Sequence, residues 1–316
     1  MLLINHSHGE KMVRYLLPIF LIPILLTGQY ERPGSAAAQF LKIDVSPRGS
    51  SMAGAYIAVV EGAEAAWYNP ARIARIMGTG ISLNHTAWFT GINVDFISWA
   101  QSFGRKGAFA FSVTTLYTPE MKVRTPMQPD GTGETFYAGS LRAGLSFARQ
   151  LTYNVCFGVT TNYIYLALYS DFTQNAVSID FSVDYQSDYH GLRFAMKIAN
   201  FGSNIKFVNE VYPMPTNFNF GLSFNALDAV SYKLVATGAI IKPNDGAPLG
   251  QIGTELQYNN LLFLRGGYHI GHSSATIALG GGYRQTLGSK SLEVNYSWED
   301  YSTLGGTHRF GFQFDL

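Results

Sequence analysis

The stretch Arg309–Leu316, with the sequence RFGFQFDL, decides the fold. In an extended strand successive side chains point to opposite faces. One face carries Phe310, Phe312, Phe314 and Leu316, and the other carries Arg309, Gly311, Gln313 and Asp315. Soluble proteins rarely leave such an aromatic strand at a sheet edge, because an open edge invites aggregation. The pattern instead indicates a strand that closes a barrel whose apolar face meets lipid.

The same stretch fits the assembly signal of outer-membrane barrels. In that signal a polar residue is followed two positions later by glycine, and aromatic and apolar residues then alternate. Arg309, Gly311, Phe314 and Leu316 occupy these places. We therefore expect the bacterial outer membrane as the location, and outer-membrane lipid and the barrel assembly machinery as partners.

The composition agrees with a barrel. Of the 316 residues, 14% are aromatic and 14% are charged, against about 25% charged residues in soluble domains. A mean hydropathy of +0.05 is too low for a protein with many membrane helices, but it suits strands in which every second residue meets lipid. The net charge of +1 indicates no nucleic-acid partner. The single cysteine, Cys156, provides neither a disulfide nor a cysteine metal site, and we expect no metal or cofactor.

Residues 1–28 are predicted to be an export signal. Lys11 and Arg14 precede the apolar run Tyr15–Leu26, which is too short for a membrane span of about 20 helical residues. The cleavage point is expected between residues 28 and 38. A membrane anchor is the alternative, which the short apolar run and its two prolines disfavour.

After residue 78 the chain consists of alternating segments separated by turn residues. Val177–Tyr185 is a clear example, with valine, isoleucine, phenylalanine and tyrosine on one face and serine and aspartate on the other. We predict an all-β fold for residues 79–316, a transmembrane antiparallel up-and-down barrel of about 14 strands. Counts of twelve or sixteen stay open. Short connections are expected to alternate with longer ones near 118–135, 202–216 and 299–307.

Several charged residues of these segments fall on the face opposite the apolar one. A charge on the lipid face costs roughly 2–4 kcal/mol at the bilayer midplane, so we expect these side chains inside the barrel. They either form a salt-bridge network that fills a narrow lumen or line a polar path. The residues are Asp180, Asp184, Arg193, Lys197, Arg265 and Glu293.

Residues 29–78 differ from the strands, because they are rich in small residues and lack alternation. The alanines before Asn69 predict a short helix, and Pro70 predicts the start of a new turn or helix. A segment of this length cannot fold alone, so we expect it to act as a plug in the mouth or lumen of the barrel.

This N-terminal segment resembles a known signature. FLKI at 40–43, Arg48 followed by MAGAY at 52–56, and AWYNPA at 66–71 resemble the signature of PorV/PorQ-like outer-membrane proteins. That group is similar to the wider FadL-type barrel superfamily, which shares the Asn-Pro-Ala element. The resemblance implies a fourteen-stranded barrel with a plug-like segment. It makes Arg48, Trp67 and Asn69-Pro70-Ala71 candidates for gating, or alternatively for a structural turn that docks the plug to the wall.

Two functions follow from the resemblance. PorV-type members take part in type IX secretion, where they bind exported cargo or secretion partners, and this short chain fits them better. FadL-type members carry long-chain fatty acids or other hydrophobic compounds across the outer membrane. The second function predicts an apolar pocket large enough for a fatty acid or detergent, and a lumen filled by charged side chains would oppose it.

Enzyme signals are weak. His269, His272 and His308 lie near predicted loop ends with no acid partner evident in the sequence, so we expect loop histidines and no catalytic residue. An outer-membrane hydrolase, the third alternative, needs a Ser/His or Asp/His pair within hydrogen-bond reach on the wall. Gly280-Gly281-Gly282 resembles no phosphate loop, and glycines that face a crowded lumen or ease strand curvature explain it better.

Overall fold

The computed structural model describes residues 34–169, 172–207 and 209–316. The predicted export signal and the first residues of the predicted plug lie outside these ranges. In the described residues the chain forms 18 strands, of which 14 form one closed antiparallel barrel. The predicted strand count and fold class are confirmed.

The barrel strands are nine to fifteen residues long. They are β1 Thr79–Ala87, β2 Asn93–Ser102, β3 Ala108–Tyr117, β6 Gly139–Gln150, β7 Val155–Tyr169, β8 Phe172–Gln186, β9 Arg193–Gly202, β12 Asn217–Asp228, β13 Tyr232–Pro243, β14 Leu249–Tyr258, β15 Leu262–Ile270, β16 Ile277–Leu287, β17 Lys290–Asp300 and β18 Gly306–Asp315. Two small hairpins lie in connections: β4 Met121–Lys122 with β5 Thr135–Phe136, and β10 Ile205–Phe207 with β11 Glu210–Tyr212.

The barrel closes between its first and last strands. β18 runs antiparallel to β1, from Gly80 opposite Asp315 to Ala87 opposite His308. Phe310 and Phe312 on β18 are 51% and 46% exposed on the outer face, whereas Arg309, the residue before Phe310, is fully buried inside. The side-chain alternation expected for this stretch is therefore present, and closure leaves the sheet no free edge.

Connections differ between the two ends of the barrel. At the end nearest residue 78 all are turns of two to six residues: 103–107, 151–154, 187–192, 229–231, 259–261 and 288–289. The opposite end has the two longest connections, 118–138 and 203–216. Outer-membrane barrels have short periplasmic turns and longer extracellular loops. We therefore call these the periplasmic end and the outer end.

Residues 34–78, which we call the plug, pack inside the ring of strands. The plug contains α-helices Pro47–Ser51 and Ala65–Tyr68 and 3-10 helices Gln39–Lys42, Gly62–Glu64 and Pro70–Arg75. Met52, Ala53, Ala55 and Tyr56 are completely buried. The predicted helix before Asn69 and the new helix at Pro70 are both present. Within the described residues, no helix has the length and apolar character needed to cross a membrane.

Candidate functional site

Arg48 joins the plug to the middle of the barrel wall. It lies in helix Pro47–Ser51, which begins where the Ser46 side chain accepts a hydrogen bond from the Gly49 N–H. Its Nε and Nη2 atoms donate to the two carboxylate oxygens of Glu255 on β14, each at 2.8 Å. Arginine and carboxylate in this two-bond geometry form one of the stronger ion pairs available to proteins.

Glu255 is also the first member of a chain of ion pairs along the wall. Arg265 on β15 lies directly opposite Glu255 and donates to it at 2.5 Å. Arg265 also reaches Glu293 on β17 at 3.1 Å, and Glu293 in turn pairs with Arg284 at 2.6 Å. A Cβ on the intervening Gly282 would lie 2.9 Å from an Arg265 nitrogen. That glycine thus faces a crowded lumen, as the sequence predicts.

A second group of charges lies around Asp180 on β8. Lys197 on β9 approaches Asp180 at 3.1 Å, and Arg142 on β6 approaches it at 3.5 Å. The guanidinium of Arg142 stacks on the ring of plug residue Trp67, 4.5 Å from its centroid. A bulge in β9 turns the Asn200 N–H inward, where it donates to Asp180 at 2.8 Å. Trp67 is therefore held against a charged patch of the wall.

A third group fixes the periplasmic part of the plug. Asp184 on β8 accepts hydrogen bonds from Arg72 at 3.1 Å and Arg75 at 2.8 Å, and its side chain is fully buried. Since an isolated buried charge is costly, each of these three residues depends on the others.

The Asn-Pro-Ala element packs where the plug meets β7 and β8. Asn69 Nδ2 donates to the Ile57 carbonyl at 3.0 Å, within the plug, and the Ala71 N–H donates to Ser182 Oγ at 2.8 Å. A Cβ on Gly158 of β7 would overlap the backbone of Pro70 and Ala71. The element therefore docks the plug to the wall through backbone contact.

Glu64 organises the inside of the plug, and sequence reasoning missed it. Its carboxylate accepts hydrogen bonds from Ser46 at 2.6 Å and Tyr56 at 3.0 Å, and from β1 residues Ser82 at 3.1 Å and Asn84 at 2.8 Å. Four neutral donors thus satisfy one buried carboxylate. Its position in a small, apolar segment could not have signalled this role by itself, because Glu61 lies in the same segment three residues earlier.

At the outer end, Glu299 on β17 joins two further wall residues. Arg309 approaches it at 2.8 Å and His269 Nε2 at 2.7 Å, and Arg309 Nε also donates to the plug carbonyl of Asp44 at 3.1 Å. The expectation that His269 is a loop histidine without an acid partner is wrong. Glu299 lies two strands away from His269, and 30 residues separate them in the chain.

Two plug carboxyl groups have shifted pKa values. Burial would raise the pKa of Glu61, but Arg48, Arg193 and Arg72 outweigh burial and lower it to about 2. Burial, reinforced by the nearby charge of Glu299, raises the pKa of Asp44 to about 6 despite Arg309 and His269. Glu61 is therefore an anion at neutral pH, whereas Asp44 changes charge near pH 6.

A cavity of about 220 Å³ lies in the outer half of the lumen. The plug supplies Leu41, Ile43, Ile57, Trp67 and Tyr68 to its lining, and the wall adds Ala239, Ile241 and Leu249. Polar groups line the rest, among them Asp44, Asn217, Asn219, Gln251, His269 and Glu299. The cavity is therefore mixed in character, with aromatic and aliphatic surface on the plug side.

All six charges predicted to face the lumen line the inside of the barrel, but their partners are mostly other residues. Among the six, only Asp180 with Lys197 and Arg265 with Glu293 pair with each other. Arg193 approaches plug residue Glu61 at 3.5 Å. The remaining partners were not singled out from the sequence as lumen charges: Arg72, Arg75, Arg142, Glu255 and Arg284.

Two Asp/Glu–His pairs lie on the wall. One is His269 with Glu299 in the lumen, and the other is His85 with Asp95, 2.7 Å apart on the lipid-facing side. In the described residues, no serine or threonine hydroxyl is hydrogen-bonded to either ring. His308 contacts the Tyr296 hydroxyl, and His272 accepts two backbone N–H groups of its own loop. These contacts hold the rings in place without presenting a nucleophile.

Comparison with known proteins gives a match by fold. No protein-family model matches the sequence, and no curated protein matches it. The solved structure of the toluene transporter TbuX from Ralstonia pickettii has a TM-score of 0.56 at 13% identity, with 85% of this chain and 96% of that chain covered. The toluene transporter TodX from Pseudomonas putida has a TM-score of 0.56 at 14% identity, with 86% and 97% covered.

The monoaromatic hydrocarbon channel CymD is similar, with a TM-score of 0.55 at 12% identity, covering 85% of this chain and 96% of that chain. At these identities the likeness shows the fold alone, which is the one that TbuX, TodX and CymD share. The finer resemblance to PorV/PorQ-like proteins is not confirmed. The chain is a fourteen-stranded β-barrel of the bacterial outer membrane.

Proposed function

We propose that this barrel carries small hydrophobic or amphipathic molecules across the outer membrane. The observation that supports the proposal is the cavity of about 220 Å³ in the outer half of the lumen, bounded by the plug. An apolar protein cavity of about 150 Å³ holds a benzene molecule. The cavity therefore has room for one aromatic ring with a substituent.

Solved structures with the same fold are described as carrying molecules of this size. TbuX and TodX are described as toluene transporters, and CymD as a monoaromatic hydrocarbon channel. A ring of that kind matches the aromatic and aliphatic surface that Trp67, Ile57 and Ile241 present to the cavity. We extend this substrate class to the present chain on the basis of the cavity, because the identities alone support only the fold.

Long-chain fatty acids fit less well. The pocket expected for them is apolar and larger, whereas this cavity is small and partly polar. Toward the periplasmic end, the lumen is filled by the plug and by the ion pairs of Arg48, Glu255 and Asp184. Passage beyond the cavity therefore requires the plug to shift. Charged side chains also line the cavity itself, among them Arg142, Asp180 and Lys197, so the charged filling opposes a wide apolar channel and leaves room for a small ligand only.

The secretion role has no comparable support. TbuX, TodX and CymD, which share the fold, are described as transporters or a channel. Secreted cargo and secretion-system components, which the resemblance implied as partners, stay predictions. They would gain support if tagged protein captured exported proteins that share a C-terminal domain, together with a secretion defect in a deletion strain.

The test of transport is uptake of radiolabelled toluene by whole cells whose outer membrane lacks a channel for aromatic compounds. We expect the wild-type protein to raise the initial uptake rate several-fold over an empty vector. Ile241→Trp, which fills the cavity, should return uptake to the vector level. Ile240→Trp is the matched control, because Ile240 is the preceding residue of β13 and is 41% exposed on the lipid face. Uptake at vector level with a correctly assembled wild-type barrel would overturn the proposal.

A further inference from the structure

We propose that molecules leave the outer cavity along one side of the plug, the side against β12, β13 and β14, and that Ile57 closes this route. The inference rests on the proposed function, since it assigns a path to transport through the same cavity. It follows from a second, smaller pocket in the lumen, which lies on the same three strands nearer the periplasmic end.

This periplasmic pocket has a volume of about 20 Å³, enough for one water molecule. Its lining includes Gly191, which lies in the periplasmic turn 187–192. It also includes plug residue Glu61, whose side chain is 43% exposed. The pocket therefore lies where the lumen meets the periplasm.

The cavity and the periplasmic pocket follow one another along the inner side of the same strands. On β12, β13 and β14 in turn, inward residues nearer the outer end line the cavity: Asn217 and Asn219, Ala239 and Ile241, and Leu249 and Gln251. Inward residues nearer the periplasmic end line the pocket: Ser223 and Asn225, Lys233 and Val235, and Glu255 and Gln257. One inward residue per strand lies between these sets: Gly221, Thr237 and Gly253. Because successive inward residues of a strand are about 7 Å apart, a single layer of contacts separates the two spaces.

The plug seals two thirds of this layer firmly. Against β14, a Cβ on Gly253 would lie 2.6 Å from the Met52 Cβ and 2.9 Å from the Met52 carbonyl oxygen, so the two chains are in tight contact. Against β13, the Thr237 hydroxyl donates a hydrogen bond to the Ala55 carbonyl at 2.9 Å. Opening at β13 or β14 would therefore break a hydrogen bond or separate closely packed backbone.

Ile57 closes the remaining third, against β12. It packs on Gly221, where a Cβ would overlap the Ile57 Cγ2 methyl. The inward neighbours of Gly221 are Ala195 on β9 and Ala239 on β13, so three small residues form a notch that holds one isoleucine. The Ile57 carbonyl accepts its hydrogen bond from Asn69 inside the plug. In the described residues, Ile57 can therefore leave the notch without loss of a hydrogen bond to the wall.

Other contacts of the plug with the wall are stronger. Asp184 on β8 binds Arg72 and Arg75, and Glu255 on β14 binds Arg48. Buried ion pairs of this kind are costly to break, because one charge is left without its partner. Folded proteins open most readily where few such contacts must be lost. The side of the plug against β12 is therefore the part that opens while the rest stays docked.

Single-channel conductance of the purified full chain in planar bilayers tests whether Ile57 closes a passage. Ile57→Ala empties the notch and joins the two spaces, so we expect the conductance to rise several-fold over the wild type. Ile73→Ala is the matched control, because Ile73 is a fully buried plug isoleucine that belongs to a different apolar cluster. It should conduct as the wild type does. Equal conductance of the two variants would overturn the inference.

A disulfide between the plug and β12 tests whether transport uses this route. A Cβ on Gly221 would lie 3.5 Å from the Ala58 Cβ, which is within the range for a disulfide. The pair Ala58→Cys/Gly221→Cys is made with Ile57→Ala, which provides room for the new Cβ. The buried native thiol is removed by Cys156→Ala. We expect toluene uptake by cells to fall to the vector level under oxidation and to recover when reductant is added.

The matched control ties the opposite side of the plug. A Cβ on Gly80 of β1, which lies opposite β12 in the ring of 14 strands, would be 3.6 Å from the Ala63 Cβ. Ala63→Cys/Gly80→Cys in the same background should keep its uptake under oxidation. With both disulfides formed, loss of uptake in both pairs or in neither would overturn the route and leave transport itself intact.

Absence of toluene uptake by the wild type would instead count against the transport proposal. The conductance of Ile57→Ala and Ile73→Ala would then still decide whether Ile57 closes a passage. The same comparison decides if either disulfide fails to form, which maleimide labelling of free thiols reveals. Assembly of each variant is read from the heat-dependent shift in its electrophoretic mobility.

Discussion

The guanidinium of Arg48 and the carboxylate of Glu255 face each other through two hydrogen bonds of 2.8 Å, although 207 residues separate them in the chain. Both side chains are almost completely buried. The pair is the direct charged link between the plug helix Pro47–Ser51 and the wall strand β14. It therefore couples the position of the plug to the barrel.

Replacing Arg48 with methionine should loosen the plug. Breaking a buried ion pair by removing one partner costs about 3–5 kcal/mol, because the other charge stays buried. Glu255 would keep Arg265, but Glu61 would lose the arginine that contributes most to its lowered pKa. We expect higher single-channel conductance in planar bilayers and faster entry of a hydrophilic dye into cells.

Two controls accompany this prediction. Arg105→Met removes an exposed arginine from a periplasmic turn and should leave conductance at the wild-type level. The double variant Arg48→Met/Glu255→Met removes both charges and should conduct less than Arg48→Met alone. Equal conductance of Arg48→Met and wild type would show that the pair does not hold the plug.

The barrel could be predicted from the sequence because lipid imposes a strict rule on each strand. Phe181 on β8 had to face outward and Asp180 inward, since the reverse would bury a charge in hydrocarbon. The structure has Phe181 41% exposed and Asp180 1% exposed. The rule needs only the alternation within one strand, so it requires no knowledge of which strands are neighbours.

The partners of the inward charges could not be predicted in the same way. Glu299 meets His269 and Arg309 only after β15, β17 and β18 take their registers, and Arg48 meets Glu255 only because of the path of the plug. These contacts depend on three-dimensional placement that no local pattern encodes. The polar lining of the cavity could not be predicted for the same reason. In their strands, Gln251 and Asn219 look like ordinary lumen-facing amides.

Gly158 is predicted to be essential for docking the Asn-Pro-Ala element. A valine there would overlap the backbone of Pro70 and Ala71, so the contact between Ala71 and Ser182 should be lost while the barrel still forms. Arg72 is only 5% exposed in the docked plug. Trypsin should therefore cleave after Arg72 or Arg75 in Gly158→Val much faster than in the wild type.

Gly238→Val is the matched control for this substitution. The nearest atom to a Cβ on Gly238 is 3.6 Å away, which is ordinary contact. This variant should resist trypsin as the wild type does. Resistance of Gly158→Val would mean that the wall yields at β7 and that docking does not depend on the glycine.

Asp44 should make the plug less stable as pH rises. Its pKa of about 6 in the folded protein exceeds the ordinary value of 3.8, so the fold favours the protonated form. The stabilising contribution is complete below about pH 4 and is lost as pH rises through 6. The charged groups around Asp44 are Glu299, Arg309 and His269, with the Tyr68 hydroxyl beside them.

The measurement is the temperature at which the folded band disappears in unheated-gel electrophoresis, at pH 4.5 and pH 7.5. Asp44→Asn lacks the titrating proton, so its midpoint should exceed that of the wild type at pH 7.5 by more than it does at pH 4.5. Comparing the two proteins at each pH removes the contributions that both proteins share. An identical pH response in both proteins would rule out Asp44 as the titrating group.

We predict that Phe314 is needed for the barrel to assemble in the membrane. Arg309 and Gly311 of the predicted assembly signal also serve the plug: Arg309 donates to the Asp44 carbonyl, and a Cβ on Gly311 would lie 2.7 Å from Pro47. Substitution of Arg309 or Gly311 would therefore affect both barrel assembly and the packing of the plug. Phe314 instead lies opposite Ile81 of β1 and Leu292 of β17.

We expect Phe314→Ser to lower the assembled fraction several-fold in the membrane. Phe310→Ser removes an aromatic from the same lipid-facing side, outside the signal, and should lower the assembled fraction much less. Similar losses in both variants would indicate that general hydrophobicity of β18, and no specific signal, drives assembly.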